Sequence, residues 1–172
     1  TSHYDAVYET VAEYTSWLPS MVAPGNHEME KDLDKATGGA YGVDNPNYVK
    51  GIENFKSRYL YPDNGPEKSK QLVYSFDYGN AHFAALNTNN PAGNAVKDLD
   101  GMATQIEWLK RDMNASDKTW KMVYVHVGPY NSYGDSLPAL ATALDELGVD
   151  VVFFGHNHIF MRSNAIEGGE IM

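Results

Sequence analysis

Five side chains in this sequence are of the kind that hold a cation or a phosphate, and they fall in three groups. Asn26 and His27 stand in "VAPGNHEME" (22–30), where an apolar stretch runs straight into Gly25-Asn26-His27-Glu28. His126 closes the apolar run "KMVYVHV" (121–127), and His156 and His158 follow another in "GHNH" (155–158). A neutral imidazole offers a nitrogen lone pair and an asparagine amide offers a carbonyl oxygen, and both are metal ligands. Two histidines one residue apart on a loop can reach two neighbouring ions. On an extended strand the same spacing puts both on one face. Taken singly, each histidine reads as a hydrogen-bonded structural or surface residue, and Gly-Asn reads as a turn. It is their joint placement after apolar runs that points to a site.

For these residues to meet, the runs before them must be strands whose carboxyl ends lie together, because ligand sites in open α/β sheets form outside those ends. The rest of the chain supplies such elements. Residues 5–17 place Val7, Val11, Tyr14 and Trp17 at helical spacing with acids on the other face, and Pro19 stops the helix. Residues 20–24 read as a short strand leading into Gly25. Residues 31–70, rich in Gly, Asn, Pro, Asp and Lys, read as a long irregular excursion with one helical turn near Ile52 to Tyr59. "QLVYSFDYG" (71–79) and "AHFAALNT" (81–88) meet at Gly79-Asn80, which predicts a hairpin with Leu72, Tyr74, Phe76 and Tyr78 on one side. An amphipathic helix over 102–113 carries Ile106, Leu109 and Met113. A strand over 121–127, a helix over 136–148 closed by Gly148, and a buried strand in "VDVVFF" follow. This alternation implies an α/β fold, a layered mixed β-sheet with flanking helices. His82 is mid-strand with no loop after it and reads as structural, and His3 reads as surface.

The composition narrows the function. With 42% hydrophobic and 21% charged residues the 172-residue chain has the balance of a folded domain, and no apolar run approaches the roughly 20 residues that span a bilayer. The opening "TSHYDAVYET" lacks the basic start and apolar core of a signal peptide. A net charge of −10 argues against nucleic-acid or anionic-membrane binding, which need a positive surface. It leaves a phosphate-bearing substrate open, since bound metal supplies positive charge locally. The absence of cysteine removes disulfides and thiolate metal sites.

"GNHE" (25–28), "VYVH" (123–126) and "GHNH" (155–158), in that order and each after a predicted strand, resemble the last three motifs of the calcineurin-like metallophosphoesterases. "YSFDYGNAHFAALNT", the helix with "QIEWL", "HVGPYNS" and "GHNHIFMRS" are similar to the purple acid phosphatase branch, especially its bacterial members. The likeness runs from about residue 10 to 164. It implies an α/β/β/α sandwich and a hydrolase for phosphoric monoesters or diesters with a dinuclear metal centre and a bridging hydroxide. Asn26, His126 and His156 would bind one metal and His158 the other. His27 would be no ligand, but would face the phosphate and help stabilise or protonate the leaving oxygen. The branch implies iron paired with zinc, manganese or iron, and a secreted or cell-surface setting.

Two earlier motifs of that family, Asp-x-Gly or Asp-x-His and Gly-Asp-x-x-Tyr, have no match before residue 25. Asp5-Ala-Val-Tyr8 has the Asp-x-x-Tyr spacing, but no glycine or apolar strand precedes it and the segment reads as helix. The chain therefore reads as a single partial domain over 1–172, lacking strands at both ends. The expectations that follow are weak metal binding, little activity from these residues alone, and association through an unpaired sheet edge. A non-catalytic ligand-binding or scaffold relic of the same fold is the alternative. A mononuclear hydrolase would need a nearby carboxylate, for which Glu28 is the adjacent candidate. The 31–70 excursion and the loop "GPYNSYGDS" (128–136) are expected to line the cleft.

Overall fold

The computed structural model describes residues 3–29, 46–89, 100–130, 137–168 and 170–172. Helix α1 (His3–Thr15) is followed by the short α2 (Asn26–Met29) and by α3 (Pro46–Arg58). The hairpin strands β1 (Tyr74–Tyr78) and β2 (Ala81–Ala85) then lead to α4 (Met102–Ala115), β3 (Trp120–Val125), α5 (Pro138–Glu146) and β4 (Val151–Phe154). A small ribbon, β5 (Ile166–Glu167) with β6 (Glu170–Ile171), ends the chain.

The main sheet has the order β1-β2-β3-β4. β1 and β2 are antiparallel, with Tyr78 opposite Ala81 across the two-residue turn that the Gly79-Asn80 pair predicts. β2, β3 and β4 are parallel, in the register Ala84 with Val123 and Val123 with Val152. Parallel neighbours need crossovers, and α4 and α5 provide them. The mixed sheet with helices on it is thus the layered α/β fold the sequence implies.

One face of the sheet is covered by α4 and α5. Met102, Ile106, Leu109 and Met113 recur at helical spacing and pack with Leu140, Leu144, Ala84, Val123 and Val125 in one buried cluster. Leu109 is fully buried, and truncating it to Ala would cost about 2–5 kcal/mol. α5 stops where Gly148 takes φ 61°: its N–H bonds Asp145 O at 3.0 Å while Val149 N–H bonds Leu144 O at 3.0 Å. That pair of bonds is a Schellman closure, and it confirms the stop signal read at Gly148. The other face carries Phe55, Tyr61, Leu72, Tyr74 and Ala85, with stacked rings such as Tyr61 on Tyr74 at 4.6 Å between centroids.

Three local expectations are corrected. The α1 stripe is not a buried face: Val11 is half-buried, but Tyr14 and Trp17 are exposed, and the Trp17 indole N–H folds back onto Glu13 O at 2.6 Å. The helical turn near Ile52 to Tyr59 is a full 13-residue helix, α3, anchored by buried Phe55. The start of the expected excursion, residues 30–45, lies outside the described residues, as do 131–136 of the "GPYNSYGDS" loop. Of the four residues expected on one side, Leu72 just before β1 and Tyr74 on it are buried and Phe76 is half-buried, but Tyr78 sits at the hairpin tip and is 78% exposed, beyond the reach of the core.

Candidate metal centre

Because β2, β3 and β4 run the same way, the peptides leaving them lie along one edge of the sheet. These are residues 86–89, 126–128 and 155–158. The ladder persists one step past β3 and β4, with Gly155 N–H donating to His126 O at 3.1 Å. The chain then turns sharply: Asn157 N–H bonds Gly155 O at 2.8 Å, and His156 and His158 adopt φ 69° and 53°. A left-handed residue other than glycine costs roughly 1–2 kcal/mol. Two such residues in three positions mark a loop whose shape is held for its side chains, as is common at functional sites.

The segment before Asn26 is held differently from the expected strand. Residues 20–24 form no β-ladder among the described residues, and side chains bind their backbone instead. The Tyr61 hydroxyl donates to Ser20 O at 2.9 Å and accepts from Val22 N–H at 2.9 Å. The Tyr74 hydroxyl donates to Val22 O at 3.0 Å and accepts from the Tyr124 hydroxyl at 2.8 Å. Asn89 Nδ2 donates to Pro24 O at 2.7 Å. Burial keeps all three phenols protonated, their pKa values raised chiefly by desolvation. They are therefore donors, and a backbone without a strand partner is still satisfied.

Gly25 then starts α2. Its N–H is capped by Glu28 Oε2 at 2.8 Å, the return arm of a capping box. A side chain at Gly25 would lie 3.4 Å from the His126 ring and collide with that Glu28 oxygen, so a substitution there would push the Glu28 carboxylate out of its cap. Glu28 is thus committed to the backbone, which weakens the mononuclear reading that needed it as a ligand.

Three donor atoms converge. His126 Nε2 lies 2.7 Å from Asn26 Oδ1 and 3.2 Å from His156 Nδ1, with the two imidazoles edge-to-face at 5.0 Å between centroids. Donor and acceptor roles in these contacts depend on the tautomer of each ring. Nitrogen and oxygen ligands at roughly 2.1 Å from a common cation also come to about 3 Å from one another, so these spacings suit a shared ion. Burial, followed by the nearby His156, His27 and His158, pushes the His126 pKa down to about 4. His126 is therefore neutral near pH 7, the state in which a lone pair is available to a metal.

The expected residues are thus partly assembled. Asn26, His126 and His156 meet directly. His27 and His158 are exposed beside them, near enough to oppose protonation of His126. Among the described residues no group of three or more His, Asp or Glu side chains forms a metal cluster, and the convergent set is two histidines and an asparagine. His82 is elsewhere, its ring between Asp77 Oδ1 at 2.7 Å and Asp112 Oδ2 at 2.8 Å, which bears out its structural reading. Sequence reasoning passed over Thr88 and Asn89. The signal available for them was the polar run Asn87-Thr88-Asn89 ending an apolar strand.

Residues 2–160 match the family model described as calcineurin-like phosphoesterase. The chain is 33% identical to purple acid phosphatase 15 of Arabidopsis thaliana, over 91% of this chain and 27% of that protein. It is 29% identical to purple acid phosphatase 23 of the same plant, over 95% and 33% respectively. It is 26% identical to an acid phosphatase of Aspergillus ficuum, over 94% and 36%. The solved structure of purple acid phosphatase PPD1 from yellow lupin seeds shares the fold, with a TM-score of 0.61 at 23% identity over 90% of this chain and 27% of that one. The chain spans about a quarter to a third of the length of these relatives. A three-motif order that the sequence already shows, a parallel-strand edge that gathers Asn26, His126 and His156, and a family match over nearly its whole length lead to one conclusion: the chain belongs to the calcineurin-like phosphoesterases.

Proposed function

We propose that Asn26, His126 and His156 hold one metal ion and His158 a second, in a hydrolase acting on phosphate monoesters or diesters. The observation that carries this is the meeting of three donor atoms, His126 Nε2 lying 2.7 Å from Asn26 Oδ1 and 3.2 Å from His156 Nδ1, with His126 kept unprotonated near pH 7. Bound there, the ions would supply Lewis-acid charge to the phosphoryl group and activate water. The chain's own part is to present those lone pairs in fixed positions. His27, exposed next to Asn26, is placed to meet the ester and to give a proton to the leaving oxygen. The resemblance to purple acid phosphatases favours iron paired with zinc, manganese or iron. Together with the lack of cysteine, it favours a site of action outside the cell or at its surface. No helix among the described residues is long and apolar enough to cross a membrane.

Three neutral ligands leave a divalent charge unbalanced, and Glu28 is engaged at Gly25. These 172 residues alone should therefore hold metal weakly and turn over little. The test is elemental analysis and hydrolysis of a generic aryl phosphate, on this chain and on the intact gene product. Metal and turnover in the intact product with little in the chain support the reading. Tight binding of two ions by the chain overturns the weak-binding claim. No metal in either favours the relic that keeps the fold without the chemistry.

Self-association has support from β4. This strand is a sheet edge, and its Val151, Phe153 and Phe154 are exposed. An apolar edge is a template for pairing with a second copy. Light scattering should show concentration-dependent dimers, and a monodisperse monomer at high concentration would overturn this.

A further inference from the structure

We infer that Thr88 and Asn89 are positioning residues that fix the distance between the Asn26 and His126 donor atoms. The two ligands lie 100 positions apart in sequence, and no strand pairing joins the segment of Asn26 to β3. The link is the polar tripeptide that leaves β2. Asn89 Nδ2 donates to Pro24 O at 2.7 Å, two residues before Asn26. Thr88 Oγ1 accepts from Val127 N–H at 2.8 Å, one residue after His126. One short peptide thus grips both ligand-bearing loops, each within two residues of its ligand.

The tripeptide is itself immobilised. Asn87 and Thr88 are each 1% exposed. Gln105, fully buried in the first turn of α4, accepts from Asn87 N–H through Oε1 and donates to Asn87 O through Nε2, both at 3.0 Å. Gln105 Nε2 also donates to Asp100 O at 3.0 Å, which fixes the amide against the start of its own helix. Asn87 Oδ1 in turn accepts from Asn89 N–H at 3.2 Å and from Asn89 Nδ2 at 2.9 Å, setting the side chain that reaches Pro24. Asn89 Oδ1 is buried with no hydrogen-bond partner among the described residues, so that side chain is oriented by its donors alone. The chain of contacts runs from α4 through the β2 end to both ligands. Supporting groups of this kind orient ligands, and losing one typically costs about 10–100-fold in metal affinity.

The metal-affinity part of this inference rests on the proposed metal site, whereas the positioning part is a statement about donor geometry. The test separates them. Thr88→Val, Thr88→Ser, Asn89→Ala and, as a control far from the site, Ser75→Ala are made in the chain. Two readouts are taken on each. The first, without metal, is the NMR cross-relaxation between the Asn26 side-chain amide and the His126 ring protons. The second is Co2+ titration followed by paramagnetic NMR, which reports weak binding. T88V and N89A should lose the Asn26–His126 cross-peak and weaken Co2+ binding by about 10–100-fold. T88S should restore both, because it keeps the acceptor oxygen. S75A should lower Tm while leaving both readouts unchanged, since Ser75 bonds Asn64 and Asp112 away from the site. Loss of the cross-peak in T88V and N89A, with no Co2+ response from the wild-type chain, would overturn metal binding by these residues alone and uphold the positioning. A wild-type cross-peak in both T88V and N89A would overturn it, as would an equal loss in S75A.

Discussion

His126 sits among Asn26, His156, His27 and His158, whereas His82 sits between Asp77 and Asp112. Both imidazoles are drawn well into the fold, and desolvation alone would disfavour the charge on each. Their neighbours send them in opposite directions. At His126 burial acts first and the other histidines add to it, so the ring stays neutral. At His82 the Asp112 hydrogen bond outweighs burial, with Asp77 adding to it, so its pKa is raised and the charged ring is favoured. A neutral ring has a lone pair to give. A charged ring between two carboxylates has both nitrogens committed as donors and works as a cross-link. Partners, rather than depth, thus separate a neutral imidazole from a charged cross-linking one.

The largest expected effect breaks the comparison on one side only. His126→Ala should weaken Co2+ binding by more than the roughly 10–100-fold typical of supporting residues, whereas His82→Gln should leave it as in wild type. Equal losses in the two variants, by the same titration, would erase the distinction.

Next comes stability. The His82 side chain is 9% exposed and that of Asp112 is 18%, so their contact is shielded from water. H82Q or Asp112→Asn should cost about 1.5–3 kcal/mol in urea unfolding at pH 6, the range for hydrogen bonds to charged groups. The Asp77 side chain is 52% exposed, so Asp77→Asn should cost less than about 1 kcal/mol under the same conditions.

The pH dependence sharpens the contrast. The folded pKa of His82 lies above its ordinary value of 6.5. Its contribution to stability is complete below 6.5 and is lost as pH rises through the raised folded value. Asp77, held below 3.8 chiefly by His82, contributes above 3.8 and loses that contribution as pH falls through its lowered value. The clamp is therefore strongest in the mildly acidic window between them. His126 runs the other way in the metal-free chain: lowered from 6.5 to about 4, it makes the fold lose stability as pH falls between those values. Thermal melts from pH 4 to 9 should show H82Q flattening the loss of stability on the alkaline side. His126→Gln should flatten the loss on the acid side. Parallel wild-type and variant profiles would refute the assignment.

Much of this was legible in the sequence because it depends on local chemistry. The Gly79-Asn80 hairpin, the Gly148 stop and the periodic apolar face of α4 are decided within a few residues. His126 and His82 were separable because one ends an apolar run and the other lies inside one. What misled was any signal needing a distant partner. Residues 20–24 look like a strand, yet tyrosine hydroxyls from 39 to 52 positions away hold their backbone. Tyr14 and Trp17 have helical spacing, but nothing local says whether a neighbouring layer will cover them.

The sequence by itself determined the residue types at the site, their order, and the strand ends that carry His126 and His156, because each follows from side-chain chemistry and short-range periodicity. The tertiary structure alone decided that Asn26 and His156 both meet His126 Nε2, that Glu28 turns away to cap Gly25, and that the β2 end ties the Asn26 and His126 loops together. Those outcomes depend on distances between segments up to 100 residues apart, set by strand register and packing that no local pattern encodes.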